Sequence, residues 1–285
     1  MPASAPAYSA DSISEADFRY IRAIIAEQAG IQLSEQKRSM VHSRLAKRVR
    51  SLGLPSIAAY CDQVRNYPER ELTGLISALT TNVTAFFREP HHFAFLAERI
   101  MPELLERNAA SRRLRIWSAG CSSGEEPYSI AMTVIEAMPA SQSWDFKLLA
   151  TDLDQEVLAF GREGVYRGDR LDGIAPEQRR RWFRRAAARS VDRALVVETL
   201  REHVSFLPLN LMGQWPMKGP FDVIFCRNVI IYFDQPRKAR LIRRFSDLLT
   251  EGGHLIIGHS ESLHGLTDRF RPIGKTIYRR GAAEC

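Results

Sequence analysis

Residues 114–128 decide the fold and read Leu-Arg-Ile-Trp-Ser-Ala-Gly-Cys-Ser-Ser-Gly-Glu-Glu-Pro-Tyr. An apolar strand leads into a glycine-containing loop. A helix start follows, since proline and acidic residues are both favoured in a first turn. A strand, a glycine loop and a helix in this order indicate a ligand crevice at the carboxyl end of a parallel sheet. The sequence therefore predicts a small-molecule site around Gly120 and Gly124.

The patterns on either side predict two domains. From Ser14 to about Leu79, apolar residues recur at helical spacing, which indicates a small all-α domain. After about Arg112, apolar runs alternate with amphipathic stretches, as is typical of an α/β fold. We expect a helical domain over 1–80, a linker over 81–111, and an α/β domain over 112–285 with a small β-subdomain inserted near 186–203. The expected strands are 114–117, 146–151, 204–207, 221–226, 254–258 and 276–278, and the expected helices of this domain are 127–137, 154–160 and 236–249.

The composition favours a globular intracellular chain. With 285 residues, 45% hydrophobic and 26% charged, the chain can bury a real core, and disordered, collagen-like and coiled-coil classes are excluded. No apolar run approaches the ~20 residues of a bilayer helix. The first residues lack the features of a secretion signal. Four scattered cysteines without a C-x-x-C pair indicate free thiols in a reducing compartment. We therefore expect a cytoplasmic protein without direct membrane insertion.

Neither histidine spacing nor net charge identifies a ligand by itself. His91 and His92 are adjacent, and neighbours on a helix point in different directions, so we expect no metal site. The net charge of +7 favours acidic partners. Nucleic acid, anionic lipid and carboxylate-rich protein all remain open on charge alone.

The acidic loop favours one class of cofactor over another. A dinucleotide site needs G-x-G-x-x-G, whereas this loop has a different spacing, and Glu125 and Glu126 would repel phosphate at the helix start. S-adenosylmethionine has no phosphate, and it carries an ammonium, a sulfonium and a ribose diol that a carboxylate can bind. Asp152 ends the second strand, where such folds place the ribose-binding acid. Taken alone, an aspartate at the end of a strand caps the following helix about as often as it binds a ligand.

Polar residues also follow the strand predicted at 221–226. Arg227 and Asn228 come directly after it, and Tyr232 comes about one helical turn later. These side chains are expected at the crevice. The alternative is that Asn228 caps the next helix and Tyr232 is packing.

Four stretches together resemble the motifs of the CheR family of chemotaxis receptor methyltransferases. They are 81–89 (Thr-Asn-Val-Thr-Ala-Phe-Phe-Arg-Glu), 117–129 (Trp-Ser-Ala-Gly-Cys-Ser-Ser-Gly-Glu-Glu-Pro-Tyr-Ser), 150–154 (Ala-Thr-Asp-Leu-Asp) and 226–233 (Cys-Arg-Asn-Val-Ile-Ile-Tyr-Phe). Each is weak alone, but their order and the helical N-terminal domain extend the resemblance over nearly the whole chain. It implies a Rossmann-like S-adenosylmethionine-dependent methyltransferase domain with an inserted small β-subdomain, preceded by a small all-α domain.

The resemblance also implies a reaction and a set of site residues. Family members transfer a methyl group from S-adenosylmethionine to glutamates of the chemoreceptor cytoplasmic helical bundle, giving glutamyl methyl esters and S-adenosylhomocysteine. An ionised glutamate is already nucleophilic, so no general base is needed. The expected roles are Asn82, Thr84 and Arg88 over the cofactor, Glu125 or Glu126 on its ammonium, Asp152 on its ribose, Asn210 and Leu211 on its adenine, Arg227 and Asn228 at the crevice, and Tyr232 as the catalytic residue that orients the attacking carboxylate.

A basic stretch suggests which surface of the protein binds a receptor. Residues 37–50 hold six Lys or Arg residues in fourteen positions. Val41, Leu45, Val49 and Leu52 are expected on one helix face, with Arg44, Lys47 and Arg50 pointing away toward acidic receptor helices. A solvated helix flank and a nucleic-acid patch are the alternatives.

The tether to the receptor and the type of substrate have alternatives too. Family members that grip a pentapeptide at the receptor C-terminus resemble one another in a glycine-containing loop, and the matching residues 186–192 lack glycine, so a pentapeptide tether is left open. A nucleic-acid methyltransferase is disfavoured because no Asn-Pro-Pro-Tyr-like site follows the strand at 221–226. A signalling protein that binds the cofactor without turnover is the other alternative.

Overall fold

A computed structural model describes residues 12–80, 82–186 and 192–281. The chain divides into two compact units. The first comprises Met1–Thr81, Leu153–Gln155 and Tyr232–Asp234, and the second comprises Asn82–Asp152, Glu156–Ile231 and Gln235–Cys285.

The described residues of the first unit form four α-helices around an apolar core. They are α1 Glu15–Gln28, α2 Arg38–Ser51, α3 Ile57–Asn66 and α4 Pro68–Leu79. Ser14 caps α1, since its Oγ accepts from the Asp17 amide at 3.0 Å. Ser56 caps α3 in the same way through the Ala59 amide at 3.1 Å. The side chains of Phe18, Leu45, Tyr60 and Leu75 are fully buried between these helices.

The basic helix α2 differs from its prediction in two respects. Val41, Leu45 and Val49 are buried as expected, but Leu52 lies beyond the last helical residue and is 39% exposed, so it does not extend the apolar face. Several of the basic side chains are also engaged within the unit. Arg38 pairs with Glu15 at 2.6 Å, Arg48 pairs with Glu71 at 3.4 Å, and Arg44 donates to the carbonyls of Leu79 and Thr80 at 2.8 and 2.6 Å. Lys47 and Arg50 are exposed.

The strands of the second unit are β1 Arg113–Ala119, β2 Asp145–Asp152, β3 Val165–Arg167, β4 Phe183–Arg185, β5 Arg193–Val196, β6 Val204–Pro208, β7 Phe221–Cys226, β8 Leu249–Ile257, β9 Phe270–Gly274 and β10 Ile277–Arg280. Seven of these strands form one sheet in the order β6-β2-β1-β7-β8-β10-β9. Neighbours from β6 to β8 run parallel, and β10 and β9 are antiparallel. All six residues of β7 are buried, as expected for a central parallel strand. The predicted α/β class is confirmed.

Helices cover the sheet and continue the numbering of the first unit. They are α5 His91–Phe95, α6 Met101–Arg107, α7 Glu125–Ala137, α8 Gln155–Glu163, α9 Pro176–Trp182, α10 Glu198–Arg201 and α11 Gln235–Leu248. A π-helical turn, Leu96–Ile100, joins α5 to α6. Residues 82–111, expected as a linker, belong to this unit, and Phe86, Phe93 and Leu104 lie in its main core. Among the described residues, no helix is both long and apolar enough to cross a membrane.

The small antiparallel sheet has the order β3-β5-β4. It begins at Val165, earlier than the insertion expected near 186–203. Three residues are too few for β3 to show an alternating pattern, which is why the sequence gives no sign of it. Residues 187–191, which form most of the glycine-free loop, lie outside the described residues.

His254 on β8 gives the fold a specific acid sensitivity. Its side chain is 1% exposed, and burial, with nearby Arg279 and Arg107 adding to the effect, lowers its pKa to about 4. In the unfolded chain a histidine protonates near pH 6.5. The unfolded state therefore binds more protons between about pH 6.5 and 4, so His254 reduces stability as the pH falls through that interval.

We expect His254→Gln to flatten the dependence of the unfolding free energy on pH between about 6.5 and 4. Urea denaturation at a series of pH values measures this. His264→Gln, in an exposed turn, controls for the loss of a histidine. An unchanged slope in the His254 variant would contradict the assignment.

Candidate functional site

Four loops that carry predicted site residues meet at one edge of the large sheet. Strands β6, β2, β1 and β7 are parallel neighbours, so their carboxyl ends share that edge. The glycine loop follows β1, Asp152 ends β2, Asn210 follows β6, and Arg227 follows β7. Ligands of open α/β sheets bind in the crevice outside such an edge.

Left-handed backbone shapes the glycine loop. Gly120, Ser122 and Gly124 have φ values of 89°, 50° and 97°. A Cβ on Gly120 would lie 2.3 Å from Val229 Cγ2, so only glycine lets the loop after β7 approach this closely. The amides of Gly120 and Cys121 both donate to the Thr151 carbonyl, at 2.8 and 2.9 Å. The ends of β1, β2 and β7 are thereby held together.

Asp152 links two of the loops. Its Oδ2 accepts from the Ser122 amide at 2.8 Å, which fixes the glycine loop against β2. Its backbone carbonyl accepts from the Leu209 amide at 2.9 Å, which fixes the start of the loop after β6. The side chain is partly exposed at the sheet edge, where a carboxylate can bind a diol.

Glu126 belongs to a buried network centred on Arg227. Its Oε1 accepts from Ser118 Oγ at 2.7 Å and its Oε2 from Arg227 Nη1 at 2.9 Å. The Arg227 side chain is 2% exposed, and its Nη2 lies 3.3 Å from Glu89 Oε2 and donates to the carbonyl of Arg88. One guanidinium therefore joins α7, the loop after β7 and the segment before α5.

Glu125 is fully buried, but its cationic partner Arg170 is more exposed than Arg227, the partner of Glu126. Its Oε2 accepts from Ser123 Oγ at 2.7 Å, and its Oε1 accepts from Arg170 Nη1. The Arg170 side chain is 45% exposed, whereas that of Arg227 is 2% exposed. The two neighbouring glutamates thus differ in how readily their cationic partner can be exchanged.

The segment that contains Asn82, Thr84 and Arg88 is tied to the glycine loop and to α7. Ser122 Oγ donates to the Asn82 carbonyl at 3.0 Å. The amide of Phe87 donates to Ser129 Oγ at 2.9 Å. Arg88 Nη1 donates back to a carbonyl of its own loop, and Thr84 is partly exposed. The structure thus brings these predicted residues to the same sheet edge.

Asn210 and Leu211 form a turn after β6. The Oδ1 of Asn210 accepts from the Met212 amide at 2.9 Å, which is a local turn interaction. Leu211 is 8% exposed, and its carbonyl accepts from Arg244 Nη1 at 2.7 Å. These bonds fix the turn beside the end of β2.

Asn228 and Tyr232 lie in different units. Asn228 has a φ of 60°, and its amide donates to Glu261 Oε2 at 3.0 Å. Tyr232 belongs to the first unit, where its carbonyl accepts from the Gln32 amide at 3.0 Å and Lys37 Nζ lies 5.5 Å from the centre of its ring. Its catalytic role stays a prediction.

Three charged residues of the site are absent from the sequence prediction: Glu89, Arg170 and Glu261. Glu89 is the one with a local signal, because it ends the 81–89 motif. Burial alone would raise the pKa of Glu89, but its hydrogen bond with His259 and the charge of Arg227 lower it to about 2. Glu89 is therefore anionic at neutral pH.

Glu89 also lies in a cluster of metal-ligand types with His91 and His92. One ligand atom from each lies within 4.8 Å of the others. The guanidinium of Arg227, 3.3 Å from Glu89 Oε2, already supplies a cation there and would repel a metal ion. The expectation of no metal remains a prediction, which this charge supports.

Comparisons with known proteins give the chain a family. The model of the CheR methyltransferase all-alpha domain matches residues 16–80, and that of the CheR methyltransferase SAM binding domain matches residues 82–279. A probable chemotaxis protein methyltransferase of Rhizobium etli is 47% identical over 261 residues, which are 90% of this chain and 96% of the relative. The chemotaxis protein methyltransferase of Escherichia coli is 43% identical over 94% of this chain and 91% of its own length. Chemotaxis protein methyltransferase 2 of Pseudomonas aeruginosa is 43% identical over 92% of each chain.

Both domains of the family are matched in order, and the relatives align along nine-tenths of the chain or more. The predicted family, enzyme class and cofactor are thereby confirmed. The chain belongs to the CheR methyltransferase family and is an S-adenosylmethionine-dependent chemotaxis methyltransferase.

Proposed function

We propose that this enzyme methylates glutamate side chains on the cytoplasmic helical bundle of a chemoreceptor, forming glutamyl methyl esters in adaptation signalling. The observation that carries this is the acidic edge of the sheet, where Asp152 and Glu125 frame a glycine loop without a phosphate-binding pattern. A cationic methyl donor suits such a site, and the names of the relatives, chemotaxis protein methyltransferases, support a chemotaxis protein as the acceptor.

The residues at the edge fit S-adenosylmethionine, which supplies an electrophilic methyl group on a sulfonium when it is bound. The two carboxylates match the ribose diol and the ammonium, and Gly120 leaves no room for a side chain. Arg227 Nε is buried and has no hydrogen-bond partner among the described residues. A buried donor of this kind fits a carboxylate of the ligand.

We assign the individual contacts on the same grounds. Asp152 would bind the ribose, and Glu125 rather than Glu126 would bind the ammonium, because the exposed Arg170 can be exchanged while the buried Arg227 cannot. The turn after β6 would hold the adenine. The corresponding residues are Asn210 and Leu211 for the adenine, Asn82, Thr84 and Arg88 over the cofactor, and Arg227 with Asn228 at the end of β7.

The acceptor carboxylate needs orientation more than deprotonation. Glutamate is ionised at neutral pH, so alignment and removal of water are what the protein must provide. The hydroxyl of Tyr232 would donate to one carboxylate oxygen and leave the other to attack. A full ion pair at that point would reduce the nucleophilicity of the attacking oxygen.

Replacing Tyr232 by phenylalanine is expected to lower the rate of methyl transfer about tenfold, the effect of one lost hydrogen bond. The dissociation constant for S-adenosylhomocysteine, measured by calorimetry, should change little. Tyr278→Phe, a partly buried tyrosine on β10, is the matched control. Normal turnover in the Tyr232 variant would refute its orienting role.

Helix α2 would bind the receptor through Lys47 and Arg50. Both of these basic side chains are exposed to solvent. The setting would be the cytoplasm, since Cys61, Cys121 and Cys226 are buried free thiols, as is usual in a reducing compartment.

Labelled methyl transfer tests the proposal against its alternatives. The purified enzyme is incubated with methyl-labelled S-adenosylmethionine, receptor cytoplasmic fragments, RNA and DNA. Base-labile label on receptor glutamates, mapped by mass spectrometry, is the expected result. Label on nucleic acid would instead support a nucleic-acid methyltransferase, and cofactor binding without transfer would support a non-catalytic signalling protein.

A further inference from the structure

We propose that Glu261 is a positioning residue that holds the loop after β7, residues 227–231, in its cofactor-binding conformation. The inference rests on the proposed role of Arg227 and Asn228 in binding S-adenosylmethionine. Glu261 itself lies in the turn after β8, the strand next to β7, and no direct contact with the cofactor or the receptor is assigned to it above.

A single carboxylate accepts three backbone hydrogen bonds. Its Oε2 accepts from the amides of Gly258 at 2.6 Å and Asn228 at 3.0 Å, and its Oε1 accepts from the amide of Ile231 at 3.3 Å. Glu261 is 6% exposed. Both of its oxygens are therefore used to join the loop after β7 to the turn after β8.

The loop needs such an acceptor because its conformation is not self-supporting. Asn228 has a φ of 60°, a left-handed conformation that costs free energy in a residue with a side chain. Asn228 lies in a bend, and Ile231 lies in the first turn of the 3-10 helix Ile230–Tyr232, so the amides of both need an acceptor from outside the loop. Glu261 supplies both acceptors at once.

Close packing reinforces the hydrogen bonds from two sides. A Cβ on Gly258 would lie 2.6 Å from Asn228 Nδ2 and 2.9 Å from Glu261 Oε2, so the turn after β8 rests directly on the Asn228 side chain. On the other side, the absence of a side chain at Gly120 admits Val229. The loop is held between the turn after β8 and the glycine loop, which bears the acidic residues of the site.

Substitution of Glu261 tests the proposal through cofactor affinity. We expect Glu261→Ala to weaken S-adenosylhomocysteine binding at least tenfold by calorimetry and to raise the KM for S-adenosylmethionine. Glu261→Gln retains one acceptor oxygen and should fall between Glu261→Ala and the unmodified enzyme. Glu251→Ala, which removes an exposed carboxylate from β8, should bind within twofold of the unmodified enzyme.

A merely structural role predicts a different pattern. A residue that only stabilises the fold would lower the unfolding temperature but leave the dissociation constant of the folded enzyme unchanged. If Glu261→Ala is folded and binds within twofold of the unmodified enzyme, the proposal is overturned.

Hydrogen exchange on the unmodified enzyme keeps the proposal testable even if the alanine variant does not fold. The amides of Asn228 and Ile231 should be protected, and Glu261→Gln should raise exchange at Ile231 first, because its bond is the longest. Unprotected amides would overturn the inference. If the unmodified enzyme fails to bind S-adenosylhomocysteine, the cofactor assignment fails instead. If it binds but does not label receptors, only the proposed substrate is wrong.

Discussion

Replacing Asp152 by alanine is expected to weaken the binding of S-adenosylhomocysteine at least a hundredfold. Hydrogen bonds to an ionised carboxylate contribute about 1.5–3 kcal/mol each, and a ribose diol can make two of them. The substitution also removes the acceptor of the Ser122 amide, 2.8 Å away, which holds the glycine loop. Loss of direct contacts and loss of loop order therefore act in the same direction.

Calorimetry with S-adenosylhomocysteine measures this effect, and the opposite end of the same strand provides the control. Asp145→Ala removes an aspartate at the start of β2 that pairs with Arg115, and it should leave binding nearly unchanged. Asp152→Asn keeps the shape but loses the charge and should fall between the two. A folded Asp152→Ala variant that binds within threefold of the unmodified enzyme would remove Asp152 from the site.

Replacing Arg227 by methionine is expected to destabilise the enzyme by about 3–5 kcal/mol, the usual cost of removing one partner from a buried charge network. The guanidinium lies 2.9 Å from Glu126 and 3.3 Å from Glu89, so both carboxylates lose their cation. The carbonyl of Arg88 also loses its donor. Urea denaturation measures the loss.

Two further variants separate the charge effect from packing. Adding Glu126→Gln to Arg227→Met should recover part of the lost stability, because one uncompensated carboxylate is removed. Arg279→Met, whose side chain is 47% exposed and pairs with Glu103 at 2.7 Å, should cost less than about 1 kcal/mol. A loss below about 1 kcal/mol for Arg227→Met would contradict the network as described.

Strand positions were predictable where local sequence decides them. The interval 221–226 matches β7 because a mainly apolar run begins after Gly219-Pro220 and ends before the polar pair Arg227 and Asn228. The strand expected at 254–258 was wrong in its start: β8 begins at Leu249 and runs through Gly252 and Gly253. Pairing with β7 jumps from Leu249 opposite Phe221 to His254 opposite Val223, and Gly252 takes a φ of 67°. Glycines in a bulge give the same local pattern as glycines in a turn.

The residues of the site likewise divide into those that local sequence predicts and those that it does not. Asp152, which ends β2, and Arg227, which follows β7, were predicted to lie at one sheet edge because parallel strands bring their carboxyl ends together. Glu261 and Arg170 act on residues 33 and 45 positions away, and no local pattern reports such pairs. The bounds of the linker and of the β-subdomain also depend on tertiary packing. Phe93, for example, lies in the expected linker but is buried in the main core of the second unit.

The ion pair between Glu125 and Arg170 has a consequence for how the cofactor binds. Because Arg170 already neutralises the carboxylate, replacing its guanidinium by a ligand ammonium exchanges one cation for another. The number of ion pairs at Glu125 then stays constant while the exposed Arg170 side chain is released to solvent, so little net counterion uptake or release accompanies this exchange. This contact should accordingly make cofactor affinity depend only weakly on ionic strength.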